Sequence, residues 1–106
     1  MIAAGVIACS DSLEPLPFTM GLEASAATTV PGDSLTFTVS AQGGSLIGVD
    51  IDFGDGNVDQ YATAGARTAR VLFRHAYTAA GTYTVRATAH EALEGQKDAT
   101  VEIRVN

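Results

Sequence analysis

Apolar and polar residues alternate along the chain from Phe18 onward, and an alternation with a period of two predicts β-strands. Residues 18–26 form the first predicted strand, and residues 30–33 form a turn that contains proline and glycine. Apolar side chains then alternate with threonine and serine over residues 35–40, and the glycine-containing stretch 42–45 breaks this second strand. No stretch of useful length has the spacing of an amphipathic helix, so the pattern predicts an all-β protein.

The second half of the chain continues the same pattern. A third strand ends at a turn over residues 54–57, and its predicted core face carries Ile47, Val49, Ile51 and Phe53. Further strands are predicted over residues 58–62, 69–75, 82–89 and 99–105, with a loop at 91–96. About seven short antiparallel strands separated by turns are typical of an immunoglobulin-like β-sandwich. We assign this sandwich to residues 18–106.

Composition and charge exclude several classes of protein. At 106 residues the chain fits one domain, and 46% apolar with 17% charged residues is unlike a disordered chain. The formal net charge of -6 repels a phosphate backbone, so we expect no nucleic-acid partner. No segment reaches the roughly 20 apolar residues of a membrane helix.

The N-terminal segment, residues 1–17, differs from the rest of the chain. A short apolar run leads to Cys9, and Val6-Ile7-Ala8-Cys9 resembles the lipobox of bacterial lipoproteins, although no basic residue precedes the run. Either this is the end of a signal peptide and Cys9 is lipidated, or the run belongs to the mature protein. Two prolines within residues 11–17 favour an extended tether to the sandwich.

Three motifs in order carry a family resemblance. They are Ile51-Asp52-Phe53-Gly54-Asp55-Gly56, then His75-Ala76-Tyr77, then Ala80-Gly81-Thr82-Tyr83-Thr84-Val85. Together they resemble the PKD domain, whose pattern is Trp-Asp-Phe-Gly-Asp-Gly, His-x-Tyr, a Pro/Ala-Gly turn and Thr-Tyr-x-Val. Ile51 stands where that family usually has tryptophan. The resemblance implies an Ig-like sandwich built around structural motif residues Asp52, Gly54, Asp55, Gly56, His75, Tyr77, Gly81 and Tyr83.

The resemblance also implies a place and a role. PKD-like domains occur in bacterial and archaeal surface proteins, secreted hydrolases and polycystin-type receptors, mostly as accessory, adhesive or spacer domains. Tyr83 resembles the tyrosine corner of Ig-like domains, whose hydroxyl bonds to nearby backbone. We therefore expect an extracellular or cell-envelope location, with a membrane contact only through a lipid on Cys9.

The densest set of carboxylates surrounds the first motif. Calcium prefers several such oxygens, and weak candidates for a calcium site are Asp50, Asp52, Asp55 and Asp59. Their spacing does not fit an EF-hand loop. We favour an alternative in which Asp52 and Asp55 accept hydrogen bonds from backbone N–H groups of the turn, so that no cofactor is required.

No catalytic set is recognisable. His75 and His90 are the only histidines, and no nucleophile, second base or phosphate loop accompanies them in a known spacing. We expect a non-enzymatic surface module that contacts proteins or carbohydrates. An alternative is a structural subunit that assembles into a filament or sheath through its N-terminal extension, by strand pairing at an open sheet edge. A third, weaker alternative is an accessory domain of a secreted hydrolase.

Overall fold

The computed structural model describes residues 17–106, and every element in that part of the chain is a β-strand. Six strands are present there. They are β1 (Thr19–Ala24), β2 (Thr28–Thr29), β3 (Ser34–Asp52), β4 (Val58–Ala76), β5 (Gly81–Glu91) and β6 (Gly95–Val105). The all-β, Ig-like prediction is therefore confirmed. The predicted count was seven. Strands β3 and β4 each contain two of the predicted strands, and the short β2 is an additional strand that was not predicted.

The fold is organised by one long hairpin. Strands β3 and β4 have 19 residues each and pair antiparallel from Ser34 opposite Ala76 to Asp52 opposite Val58. A turn over residues 53–57 joins them. Apolar residues alternate along β3 and along residues 69–76 of β4, which is the pattern expected of strands with one buried face.

The hairpin is folded back on itself near its middle. Its pairing shifts register between Gln42 and Leu46 and again between Leu46 and Gly48. On β4 the bend carries Ala64 and Gly65 at φ 53° and 85°, the left-handed region where a residue with a Cβ is strained. A Cβ on Gly43, at the same bend, would lie 3.0 Å from the Glu91 side chain. The predicted break at residues 42–45 is thus a bend in a continuous strand.

Folding the hairpin in half creates the two layers of a sandwich. Layer one contains β1, residues 34–42 of β3 and residues 68–76 of β4. Layer two contains residues 46–52 of β3, residues 58–62 of β4, then β5, β6 and β2. Strand β2 pairs with β6 in parallel, and the other pairs are antiparallel.

The core lies between the two layers. The rings of Phe37, in layer one, and Phe53, at the end of layer two, are 5.5 Å apart. Each fully buried side chain of this size contributes roughly 1.5–3 kcal/mol to folding. Within residues 17–106 the buried apolar residues form one cluster: Phe18, Leu35, Phe37, Val39, Ala41, Leu46, Val49, Ile51, Phe53, Val71, Phe73, Tyr77, Val85, Ala87, Ala89, Ile103 and Val105.

Two predicted details are wrong. Ile47 was expected on the core face, but it is 55% exposed and Leu46 is buried in its place, because the register shift there changes which residues face inward. The loop expected at residues 91–96 is a tight turn at 92–94 between β5 and β6, and Glu91 before it is buried.

Candidate functional site

The turn over residues 53–57 is held by two aspartates. The Gly54 N–H donates to Asp52 Oδ1 at 2.9 Å, and the Asn57 N–H donates to Asp55 Oδ1 at 3.1 Å. The Phe53 N–H donates to the Asn57 carbonyl at 3.0 Å, and this bond closes the turn. These bonds are the ones that short acidic side chains form in Asx turns. The sequence-based interpretation of Asp52 and Asp55 as backbone acceptors is confirmed.

The same turn is fastened to the opposite end of the folded hairpin. His75 Nε2 lies 2.7 Å from Asp55 Oδ2, and the imidazole stacks on Phe53 with ring centroids 4.1 Å apart. The buried Tyr77 hydroxyl donates to the Phe53 carbonyl at 2.8 Å. His75 and Tyr77 thus bind the hairpin tip to the end of layer one.

A row of rings continues from this contact toward β5. His75 meets Tyr77 edge-on at 4.7 Å, and Tyr77 stacks on Tyr83 at 4.4 Å. The Tyr83 hydroxyl donates to the Ala79 carbonyl at 2.7 Å, which confirms the predicted tyrosine-corner contact. Tyr83 also lies against Gly81. The motif residues therefore meet at one end of the sandwich, where Asp52, Asp55, His75, Tyr77 and Tyr83 each have a hydrogen-bond partner.

Burial and charge shift two ionisations in this row. Burial raises the pKa of Asp55, but the hydrogen bonds from His75 and Asn57 outweigh it, so the pKa lies below its ordinary value of 3.8. Burial, together with the nearby charge of Asp55, raises the pKa of Tyr77 to about 12. Both shifts favour the protonation states that make the observed hydrogen bonds.

The other two calcium candidates have separate partners. Asp50 Oδ2 lies 2.7 Å from His90 Nε2, and Asp59 Oδ1 accepts the Gln60 N–H at 2.8 Å. Residues 17–106 contain no group of three or more histidine, cysteine, aspartate or glutamate side chains placed to hold one ion. The structure does not bring the four carboxylates together as a ligand set.

The outer face of layer two carries a shallow groove of about 650 Å³. The cross-strand register places Asp50 between Gln60 and Thr88, and Asp52 between Val58 and Arg86. The groove is therefore lined by carboxylate, amide, hydroxyl and guanidinium groups. These groups can form hydrogen bonds with a polar ligand.

Strand β4 forms the longest open edge. Among the described strands it pairs only with β3, over residues 58–62, 66 and 68–76. Alternate N–H and C=O groups of such a strand point away from the sheet. Three of its large apolar side chains are mostly exposed: Val58 at 70%, Tyr61 at 57% and Leu72 at 59%.

Charge is divided along this edge. The half in layer two adjoins Asp50, Asp52 and Asp59, whereas the half in layer one carries Arg70 and Arg74. All five side chains are exposed or half-buried. The edge therefore has an acidic end and a basic end.

Sequence reasoning missed Glu91 as a structural residue. Its carboxylate accepts N–H bonds from Leu93 and Glu94 in the turn after β5, and from Ser45 at the bend of β3 at 3.0 Å. These backbone bonds lower the pKa of Glu91. A glutamate directly before an Ala-Leu-Glu-Gly turn indicates the local bonds, but only the folded hairpin brings Ser45 to it.

The predicted lipid-attachment residue, Cys9, and the proline tether lie outside the described residues. Residues 17–106 form no helix of the length and apolarity needed to span a membrane.

Comparison with known proteins identifies relatives of the described sandwich. The profile of the PKD domain family matches residues 21–105. The PKD domain of an M14-like peptidase from Thermoplasmatales archaeon SCGC AB-540-F20 superposes with a TM-score of 0.73 at 24% identity, covering 87% of this chain and 98% of that one. The PKD domain of the human VPS10 domain-containing receptor SorCS2 gives 0.57 at 21% identity, covering 87% and 74%.

A third similar structure belongs to a different module. It is a CARDB domain from Pyrococcus furiosus, solved in complex with di-metal ions, with a TM-score of 0.59 at 16% identity and coverage of 83% and 93%. At these identities the structural likenesses show the fold alone. No curated protein shows significant similarity to the chain.

Proposed function

The chain belongs to the PKD domain family, and from that premise we propose that it is an extracellular module that binds a protein partner along the open edge of β4. PKD domains are non-catalytic, Ig-like modules that are typical of extracellular proteins and take part in protein contacts. The motif side chains at the end of the sandwich form hydrogen bonds within the fold, so the open sheet edges are the better candidates for binding a partner.

One observation carries the proposal. Strand β4 offers 19 residues of backbone with one side unpaired within the described chain. An extended segment of a partner can add a strand to such an edge, and the main-chain hydrogen bonds then provide affinity while side chains provide selectivity. Val58 and Leu72 are the exposed apolar side chains beside which a partner strand would pack.

Site-directed photo-crosslinking in the native host envelope or secreted fraction tests this proposal. A photoreactive residue replaces Gln60 or Leu72 on β4 in separate proteins, and replaces Thr100 on the outer face of β6 in a control protein. We expect protein adducts at the two β4 positions and at least fivefold fewer at the control position. Equal labelling at all three positions, or none at β4, would contradict the proposal.

A carbohydrate is the second candidate ligand, and the groove on layer two supports it. Asp50, Gln60, Arg86 and Thr88 place donors and acceptors around a shallow depression, as recognition of hydroxyl groups requires. Neutral and acidic oligosaccharides can be screened against the intact protein and against Arg86→Ala. Binding that Arg86→Ala abolishes supports a glycan site, and its absence throughout the screen would remove the carbohydrate candidate.

Attachment to a membrane is a separate proposal that rests on the lipobox-like residues before Cys9. Lipidation would hold the sandwich at the cell surface through the tether. Mass spectrometry of the protein from native membranes provides the test. An N-terminal peptide that begins at Cys9 with bound lipid supports the anchor, whereas a chain beginning at Met1 with a free Cys9 thiol excludes it.

A further inference from the structure

We infer that the partner of the β4 edge is the β4 edge of a second copy of this chain. The two strands pair antiparallel about a two-fold axis, and each layer of one copy continues into the opposite layer of the other. This inference rests on the proposed function, because it names the partner for the same edge.

The shape of the hairpin makes this pairing self-complementary. Residues 58–62 of β4 lie in layer two, and residues 68–76 lie in layer one. An antiparallel neighbour runs in the opposite direction, so its layer-one half lies beside the layer-two half of the first copy. The two-fold axis passes near the bend at Ala64 and Gly65, and the same contact is made twice, as in an isologous interface.

Charge complementarity selects this arrangement. When two β4 edges meet about a two-fold axis, each layer of one copy and the opposite layer of its partner form one continuous sheet. The outer faces of both copies lie on the same side of that sheet. Arg70 and Arg74 lie on the outer face of layer one, since the alternate residues Val71 and Phe73 are buried. Pairing places these arginines beside the partner's outer face of layer two.

That face is acidic next to β4. Asp50 and Asp52 lie one strand away from the edge, opposite Gln60 and Val58. Two strand spacings separate them from a paired arginine strand, about 10 Å between backbones, and an extended arginine side chain spans most of this distance. If the two β4 strands paired in parallel instead, the acidic half of one edge would lie beside the acidic half of the other, and the two basic halves would also meet.

The exposed apolar residues fit the same arrangement. Val58 and Leu72 both lie on outer faces and would become neighbours across the new pair of strands. Tyr61 is opposite the buried Val49, so it points to the inner side, yet it is mostly exposed. In the paired form it would adjoin the inner side of the partner's layer one and extend its core.

The first experiment tests the sense of pairing by cross-linking. In a Cys9→Ser background, Gln60→Cys and Leu72→Cys proteins are prepared separately and treated with a short bis-maleimide. We expect a strong cross-linked dimer when the two proteins are mixed, and at least fivefold less with either protein alone. Cross-linking that is equal in all three samples, or undetectable in the mixture, overturns the antiparallel edge pair.

The second experiment tests the charge argument by sedimentation equilibrium of the full chain. Arg70→Glu/Arg74→Glu should weaken dimerisation at least tenfold, and raised salt should weaken the wild-type dimer. Lys97→Glu/Arg104→Glu makes the same change in net charge on β6 and should leave the dimer unchanged. An equal loss in both variants, or a wild-type protein that stays monomeric at high concentration, overturns the inference.

Deletion of residues 1–10 separates this inference from assembly through the N-terminal extension. The β4 pair predicts that the deleted protein still dimerises with an unchanged constant. Loss of the dimer would assign the edge to the N-terminal segment of a neighbouring copy and overturn β4 self-pairing. Photo-crosslinking at Gln60 and Leu72 detects any protein on the β4 edge. Adducts to a different protein would therefore support the proposed function while overturning this inference, whereas adducts to a second copy would support both.

Discussion

His75 Nε2 lies 2.7 Å from Asp55 Oδ2, and this contact joins the tip of a 19-residue hairpin to the other end of the same hairpin. The two side chains are 14% and 16% exposed, so water competes weakly for the bond. The PKD-type motif residues therefore act as a fastening. They hold a long ribbon folded in half, and the fold in turn creates the two layers.

The first prediction concerns this fastening. Asp55→Ala removes the acceptor for both His75 and the Asn57 N–H, and should lower the free energy of unfolding by about 2 kcal/mol, as expected for a hydrogen bond to a charged group. Asp59→Ala is the matched control, since Asp59 is exposed and, within residues 17–106, its side chain bonds only to the adjacent Gln60 N–H. It should change the unfolding free energy by less than about 0.5 kcal/mol. Urea unfolding measures both, and equal losses would contradict the fastening role.

The sequence predicts this contact in part. Asp-Gly and Gly-Asn neighbours mark the turn, and the PKD-like motif links it to His75 and Tyr77. Alternation identifies the inner residues Leu35, Phe37 and Val39. These signals come from neighbouring residues or from the motif. They predict the structure correctly because these strands keep a period of two.

Other features depend on register, which alternation does not fix. Ile47 was assigned to the core because it fits the period, but two register shifts around Leu46 exchange their positions. The pairing of Asp50 with His90 and the bond from Ser45 to Glu91 both join residues at least 40 positions apart. The bend that brings them together appears in the sequence as Gly43-Gly44 on one strand and Ala64-Gly65 on the other, which also suit simple strand breaks.

A second prediction concerns the buried hydroxyl of Tyr77. Tyr77→Phe leaves the Phe53 carbonyl without its donor inside the core and should destabilise the protein by about 1–3 kcal/mol. Tyr83→Phe removes a similar bond from a more exposed site and should cost about 0.5–1.5 kcal/mol. Chemical denaturation compares the two, and a larger loss for Tyr83→Phe would be inconsistent with the structure.

The Tyr77 hydroxyl also makes the stability of the fold depend on pH in the alkaline range. Its pKa is about 12 in the fold against an ordinary value of 10.0, so the folded protein disfavours the ionised form. This contribution to stability is fully present below pH 10.0 and is lost as the pH rises toward 12. We expect the melting temperature to fall over this interval, and to fall less in Tyr77→Phe.

A third prediction concerns acid. The pKa values of Asp55 and Glu91 are lowered from ordinary values of 3.8 and 4.5, so their contributions are present above those values and are lost as the pH falls below them. The melting temperature should drop steeply below about pH 4.5, where unfolded carboxylates begin to bind protons more readily than the folded ones. Glu91→Gln should flatten part of the drop, and Glu94→Gln, in the exposed turn, should not. Scanning calorimetry from pH 7 downward measures these changes. A melting temperature that falls as steeply with pH in Glu91→Gln as in the wild-type protein would contradict the role of the capping bonds.

A fourth prediction concerns calcium. Asp52 and Asp55 bind turn N–H groups, Asp50 binds His90, and Asp59 binds the Gln60 N–H. An ion would have to displace these partners before it found several oxygens at one point. We therefore expect no rise in melting temperature with millimolar calcium and no fall with a chelator. Isothermal titration that shows a saturable heat, absent in Asp52→Asn, would contradict this.

The fifth prediction compares the two glycines of the turn, which differ in how much space surrounds them. Gly54 and Gly56 have φ values of 85° and 95°, so alanine is strained at both and costs roughly 1–2 kcal/mol for the backbone alone. A Cβ on Gly54 would also lie 2.6 Å from the Thr84 carbonyl oxygen, whereas a Cβ on Gly56 would meet nothing within 4 Å.

Thr84 belongs to β5, so relief of that clash must move the turn away from layer two and disturb the Asp55–His75 contact. Gly54→Ala should accordingly destabilise the protein by at least about 2 kcal/mol more than Gly56→Ala, a difference in the range of core overpacking. Thermal melts of the two variants measure the difference. Equal losses would mean that the turn can leave β5 freely, and that His75 and Asp55 do not hold the hairpin closed.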